Sequence, residues 1–91
     1  MSGRIEKLRA EIDTIDGKLV ELLCERFKIV NRIAEAKKEL QVEIEDDARE
    51  RDVKEHCKEV AGDRLDEGFI EELTRVILSY SKKIQQMRRE R

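Results

Sequence analysis

The chain has 91 residues, a length that gives one small domain with a core too thin to stabilise a lone globule by much, so a partner chain is expected. Charged residues make up 46%, aromatics only 3% and proline none, which favours helices with salt-bridged surfaces over sheet and gives an all-α class. The net charge of -2 comes from 20 basic and 22 acidic residues spread along the sequence, so no basic face advertises nucleic acid and no acidic tail advertises a basic partner.

From Ile5 the apolar residues recur three and four apart. One column reads Ile5, Ile12, Leu19, Arg26, Ile33, Leu40 and the other Leu8, Ile15, Leu22, Ile29, Ala36, a heptad seam over five repeats. This predicts one helix ~50 Å long at 1.5 Å per residue, too long to cover its own seam, which should pair with a second copy. Gly17 inside it costs about 1 kcal/mol relative to alanine and marks either a close approach or a weak point. The stretch "QVEIED" breaks the pattern, and Asp47 followed by Glu50 resembles a capping box opening a second helix. That helix turns Val53, Cys57, Val60 and Ala61 inward and stops near Gly62. Asp66 caps a third, whose buried stripe is Phe69, Ile70, Leu73, Val76, Ile77, Tyr80, Ile84 and Met87, running out into "RRER". There are no internal repeats or linkers, so residues 1–91 read as one domain.

No stretch approaches the ~20 apolar residues of a membrane span, and the charged N-terminus lacks the apolar segment of a signal peptide, so a cytoplasmic location is expected. Cys24 and Cys57 have neither metal-ligand nor redox-motif spacing and read as small core or half-buried thiols. His56, the only histidine, reads as a surface or boundary residue.

Several charged residues stand where the pattern wants apolar ones. Arg26 interrupts the seam, and buried there without an anionic partner it would cost several kcal/mol. The adjacent column, Arg9, Asp16, Leu23, Val30, Lys37, adds cations at the edge of the buried face. Arg26 and Lys37 are eleven residues apart, almost three turns, and share a face that can grip a molecule about one ring across. Arg9 lies ~26 Å from Arg26 along the axis, so it reaches the same small ligand only from an antiparallel second chain. Taken alone, this helix favours a register device with snorkelling neighbours. The other helices change the balance. In "DDARERD", Arg49 and Glu50 precede Val53 by four and three residues and flank the inward stripe, while Arg51 and Asp52 point away. Ser81 and Gln85 are four apart beside Ile77, Tyr80 and Ile84. The set contains no metal cluster, no nucleophile with a base, and no phosphate loop. It suits binding and orienting a polyanion in a reaction without proton transfer.

With these residues in view, the chain resembles the all-helical class of chorismate mutases over nearly its full length. The resemblance is carried by Arg9 with "EIDTID", "LVELLCER" ending at Arg26, "AEAKKEL" with Lys37, "DDARERD" with Asp46, Arg49 and Glu50, and "ILSYSKKIQ" with Ser81 and Gln85. It implies three helices per chain, intertwined in a six-helix homodimer whose two sites each take Arg9 from the partner chain. It further implies rearrangement of chorismate to prephenate for phenylalanine and tyrosine synthesis, without cofactor, metal, acid or base. Arg9, Arg26 and Arg49 would clamp the two substrate carboxylates. Lys37 and Gln85 would donate to the ether oxygen, Glu50 would accept from the ring hydroxyl, Ser81 would donate to a carboxylate, and Asp46 would shape the pocket. The chain departs from the resemblance in lacking a proline before Asp46. Competing readings are pyruvate elimination from isochorismate on the same fold, which Glu50 and Ser81 disfavour, a non-enzymatic helical bundle, and, third, a nucleic-acid binder.

Overall fold

A computed structural model describes residues 3–90; Arg91, the end of the "RRER" run, lies outside them. Three helices follow in order, α1 Gly3–Leu40, α2 Asp47–Ala61 and α3 Glu67–Arg89, with no strand among the described residues. The 38 residues of α1 run ~57 Å at 1.5 Å each, which sets the 60 Å long axis of the chain. The third helix is the common support, packing against both α1 and α2.

The helix ends follow local chemistry, with one shift from expectation. Asp46, not Asp47, caps α2: its backbone is non-helical at φ -146° and ψ 87°, and its carboxylate accepts a hydrogen bond from the Arg49 N–H at 3.0 Å. The cap-to-N3 spacing therefore ends on Arg49, and Glu50 is not the reciprocal half of a capping box but is available to other partners. Asp66 caps α3 as expected, accepting from the Phe69 N–H at 3.1 Å. Gly62 ends α2 with φ 59°, a left-handed conformation that glycine takes without side-chain strain. At the end of α1 a Schellman turn is made without glycine. Gln41 holds φ 57° while Val42 N–H bonds the Lys37 carbonyl at 2.9 Å and Gln41 N–H bonds that of Lys38 at 3.3 Å.

The apolar pattern divides between two surfaces. Within the chain, α1 uses only its C-terminal half, where Val30 and Ala34 are buried. The apolar residues of the heptad seam are exposed, from Ile33 at 44% to Leu40 at 73%, as expected for a helix too long to cover itself, whereas Arg26 among them is half-buried. The expected stripe of α3 also splits. Ile70 is buried and Ile77 and Ile84 are half-buried, but Phe69, Leu73, Val76, Tyr80 and Met87 are exposed on the single chain. Thr74 and Ser81 take the buried positions instead, tolerated because their hydroxyls donate to the Ile70 and Ile77 carbonyls, each at 2.8 Å. On α2, Ala61 is buried and Cys57 half-buried, whereas Val60 faces outward. Both cysteines are free, and Cys24 is exposed, not a core thiol of this chain. A methyl group at Gly17 would meet nothing within 4 Å, so no close approach inside the chain requires that glycine.

The α2–α3 contact carries an ion pair with a testable pH signature. Lys58 Nζ lies 2.7 Å from Glu71 Oε1, and Lys54 lies 3.9 Å from the other oxygen. The hydrogen bond from Lys58, then its charge, holds the Glu71 carboxyl below its ordinary 4.5 and lifts the ammonium above 10.5. A depressed carboxyl contributes stability that is complete above pH 4.5 and lost as pH falls through the lower folded value; the raised lysine contribution is lost as pH rises above 10.5. Melting temperature should therefore drop below pH 4.5, and Glu71→Gln should lower it slightly at pH 7 while flattening the acid limb. Equal acid slopes in the two proteins would remove the pair from the account.

Candidate active site

Where α1, the 41–46 connection, α2 and α3 meet, they enclose a cavity of about 120 Å³. Its apolar walls are Val30 and Ile33 from α1, Ile44 from the connection, Val53 from α2 and Leu78 from α3. Its polar groups are Arg26 and Lys37 from α1, Asp46, Arg49 and Glu50 from the start of α2, and Ser81, Lys82 and Gln85 from α3. Seven of the eight residues singled out in the sequence thus converge on one space. Arg9 does not. It lies on the exposed first half of α1, outside this cavity.

The local chemistry explains each placement. Arg26 is half-buried, donates from Nη1 to Ser81 Oγ at 2.7 Å, and its guanidinium carbon lies 5.8 Å from the Phe27 ring centroid. Burial, the larger cause, and the nearby Arg49 charge lower its pKa, with Cys57 opposing, yet a guanidinium stays charged at any ordinary pH. The Phe27 ring is itself fixed edge-on to Tyr80, with centroids 4.8 Å apart. Ser81 accepts from Arg26 while donating to the Ile77 carbonyl, so its orientation is set from both sides. Lys37 Nζ donates to the Ile44 carbonyl at 2.9 Å, which leaves two of its three N–H groups for a ligand.

Gln85 is the least satisfied group. Its Nε2 donates to the Ser81 carbonyl at 3.3 Å, but its Oε1 is buried with no hydrogen-bond partner among the described residues. A buried amide oxygen without a partner costs about 1–3 kcal/mol. The amide nitrogen also keeps a second N–H to offer.

Sequence reasoning missed Lys82. Its ammonium lies 3.2 Å from Glu45 Oε1 and 3.2 Å from Glu50 Oε2, joining the connection and α2 to α3. The available signal was its helical spacing, four residues after Leu78 and three before Gln85, both of which line the cavity. Within "SKK" it reads as solvated.

Cations and amide donors from three helices, set on apolar walls, form a site built to hold and orient a polyanionic small molecule. The sequence comparison gives that class a family. A family model described as chorismate mutase type II matches residues 8–86, and the chain belongs to that family. It is accordingly an enzyme of the isomerase type, a chorismate mutase by class. A curated chorismate mutase from Methanocaldococcus jannaschii is 26% identical over 86 residues, covering 93% of this chain and 87% of the relative. No solved structure gives a significant match. No helix among the described residues is long and apolar enough to cross a membrane.

Proposed function

We propose that the chain rearranges chorismate to prephenate by clamping a compact conformer and stabilising charge on the breaking ether oxygen, as a step towards phenylalanine and tyrosine. The observation that carries this reading is the convergence of Arg26, Lys37, Arg49, Ser81 and Gln85 on one small cavity. The substrate has two carboxylates and must leave an extended conformer before its C–C bond can form. Arginines held on rigid helices supply that orientation, a contribution that reaches ~7–11 kcal/mol in well-aligned intramolecular reactions. The C–O bond breaks as the C–C bond forms, in one unimolecular step with no proton to move. Negative charge gathers on the ether oxygen as its bond stretches, so Lys37 and Gln85 donors placed there bind the transition state more tightly than the ground state. Glu50 accepts from the ring hydroxyl, Ser81 serves a carboxylate and Asp46 fixes the rim by capping α2.

The active form on this reading is an intertwined six-helix homodimer. One observation supports it: the apolar seam of α1 is exposed on the single chain; Arg9, outside the cavity of its own chain, would enter the site of the other copy. The single domain spans residues 1–91, is cytoplasmic, and uses no metal or cofactor.

The test is to add purified protein to chorismate and follow loss of the diene absorbance while identifying prephenate. Rapid conversion is expected. A folded protein that leaves chorismate unchanged defeats the reading, with isochorismate as the next substrate to try. Because Gln85 is an amide and not a carboxylic acid, kcat should vary little between about pH 5 and 8, the range over which an acid donor would lose its proton. A steep loss across that range in a protein that stays folded would remove Gln85 from the donor role.

A further inference from the structure

The cavity lining carries four cations, Arg26, Lys37, Arg49 and Lys82, against two carboxylates, Asp46 and Glu50. Without Lys82 the lining of the single chain would hold three cations against two carboxylates. Glu50 is an unusual wall for a dianion site, because a bare carboxylate repels the molecule it must touch. Its side chain is only 29% exposed, so water screens that repulsion incompletely. Lys82 Nζ meets Glu50 at Oε2, 3.2 Å away, and among the described residues Oε1 has no partner. The same ammonium takes Glu45 Oε1 at 3.2 Å, and the two carboxylates together raise its pKa, Glu45 first, so it is charged throughout the neutral range.

We infer that Lys82 is a positioning residue for Glu50. It neutralises the Glu50 carboxylate towards an incoming dianion and fixes Oε2, so that Oε1 faces the substrate hydroxyl. This inference rests on the mutase reading for its substrate, though the pairing exists in the ligand-free chain. It acts on binding more than on the chemical step, since an uncompensated carboxylate repels the dianion in ground and transition states alike.

The experiment is a double-mutant cycle with Lys82→Met, Glu50→Gln and the double variant, together with Lys82→Arg and Glu45→Gln, each checked for helix content by circular dichroism. Lys82→Met should raise KM for chorismate about tenfold with a smaller change in kcat, the scale of a like-charge contact left in a half-buried site. Lys82→Arg should restore KM to within about threefold, because it keeps the charge and the reach. In the Glu50→Gln background the Lys82→Met penalty should vanish, as the charge that Lys82 offsets is already gone. A penalty of equal size in that background, or one reproduced by Glu45→Gln, overturns the inference by assigning Lys82 to the substrate itself or to the connection. A Lys82→Met protein with wild-type KM overturns it too.

A wild-type protein inert towards chorismate defeats the mutase reading alone. The pairing is then judged from melting temperatures of the same four ligand-free proteins. Losses that are less than additive, by about one to three degrees, keep it and strictly additive losses overturn it.

Discussion

Arg26→Leu should leave a folded helical protein that converts chorismate at least ~10²-fold more slowly, the scale of losing one well-placed charged donor. Leucine matches the Ile and Leu of the column that Arg26 interrupts, and it removes a guanidinium whose charged form burial already disfavours. Helix content and melting temperature should therefore hold or rise. Ser81 keeps its bond to the Ile77 carbonyl when Arg26 is gone, so the wall of the cavity stays in place. Stability and activity thus move in opposite directions, a result that general damage does not produce. Were Arg26→Leu to stabilise the protein and retain activity within tenfold, the arginine would be a register device, and the clamp mechanism would be wrong.

The second large effect concerns Arg9, and it is read by complementation. On the dimer reading, the Arg9→Ala and Arg26→Ala proteins should each lose at least ~10²-fold in activity, because one of the two clamps is broken in every site. Mixed by refolding together in equal amounts, they should regain about a quarter of the wild-type rate. Random pairing makes about half of the dimers mixed, and each mixed dimer holds one site with both losses and one with neither. Separately tagged chains and native mass spectrometry establish that the mixing occurred. A mixture no better than its parents means that Arg9 does not act across chains. An Arg9→Ala protein that is active by itself removes this residue from the site.

Much of this site could be read from the sequence because its residues violate a strong pattern. Arg26 stands in a column of Ile and Leu, Lys37 shares its face, and Ser81 and Gln85 interrupt an apolar helix; each anomaly proved to line the cavity. The misses have physical causes. Asp46 and Asp47 are equally good caps, and the choice between them is made by the non-helical backbone at Asp46. Thr74 is only 1% exposed because a carbonyl one turn back takes its hydroxyl proton, and a polar letter does not advertise that bond. Lys82 has its carboxylate partner Glu45 37 residues away, so no local spacing announces it. Periodicity puts Phe69, Leu73, Val76, Tyr80 and Met87 of α3 on a buried stripe although they are exposed here, because it identifies an apolar face but not whether its cover comes from the same chain.

The 41–46 connection carries a final implication. Lys37 holds the Ile44 carbonyl at 2.9 Å, Arg89 holds that of Val42 at 2.8 Å, and Lys82 holds the Glu45 carboxylate. The Schellman turn at Gln41 fixes where this segment leaves α1, and the Asp46 cap fixes where it enters α2. A surface loop is ordinarily where a protein accepts extra residues most readily. Here one added residue must either unseat the cap or draw Ile44 away from the ammonium that reaches into the cavity. The stretch with the least regular structure is therefore the one whose length the enzyme has least freedom to change.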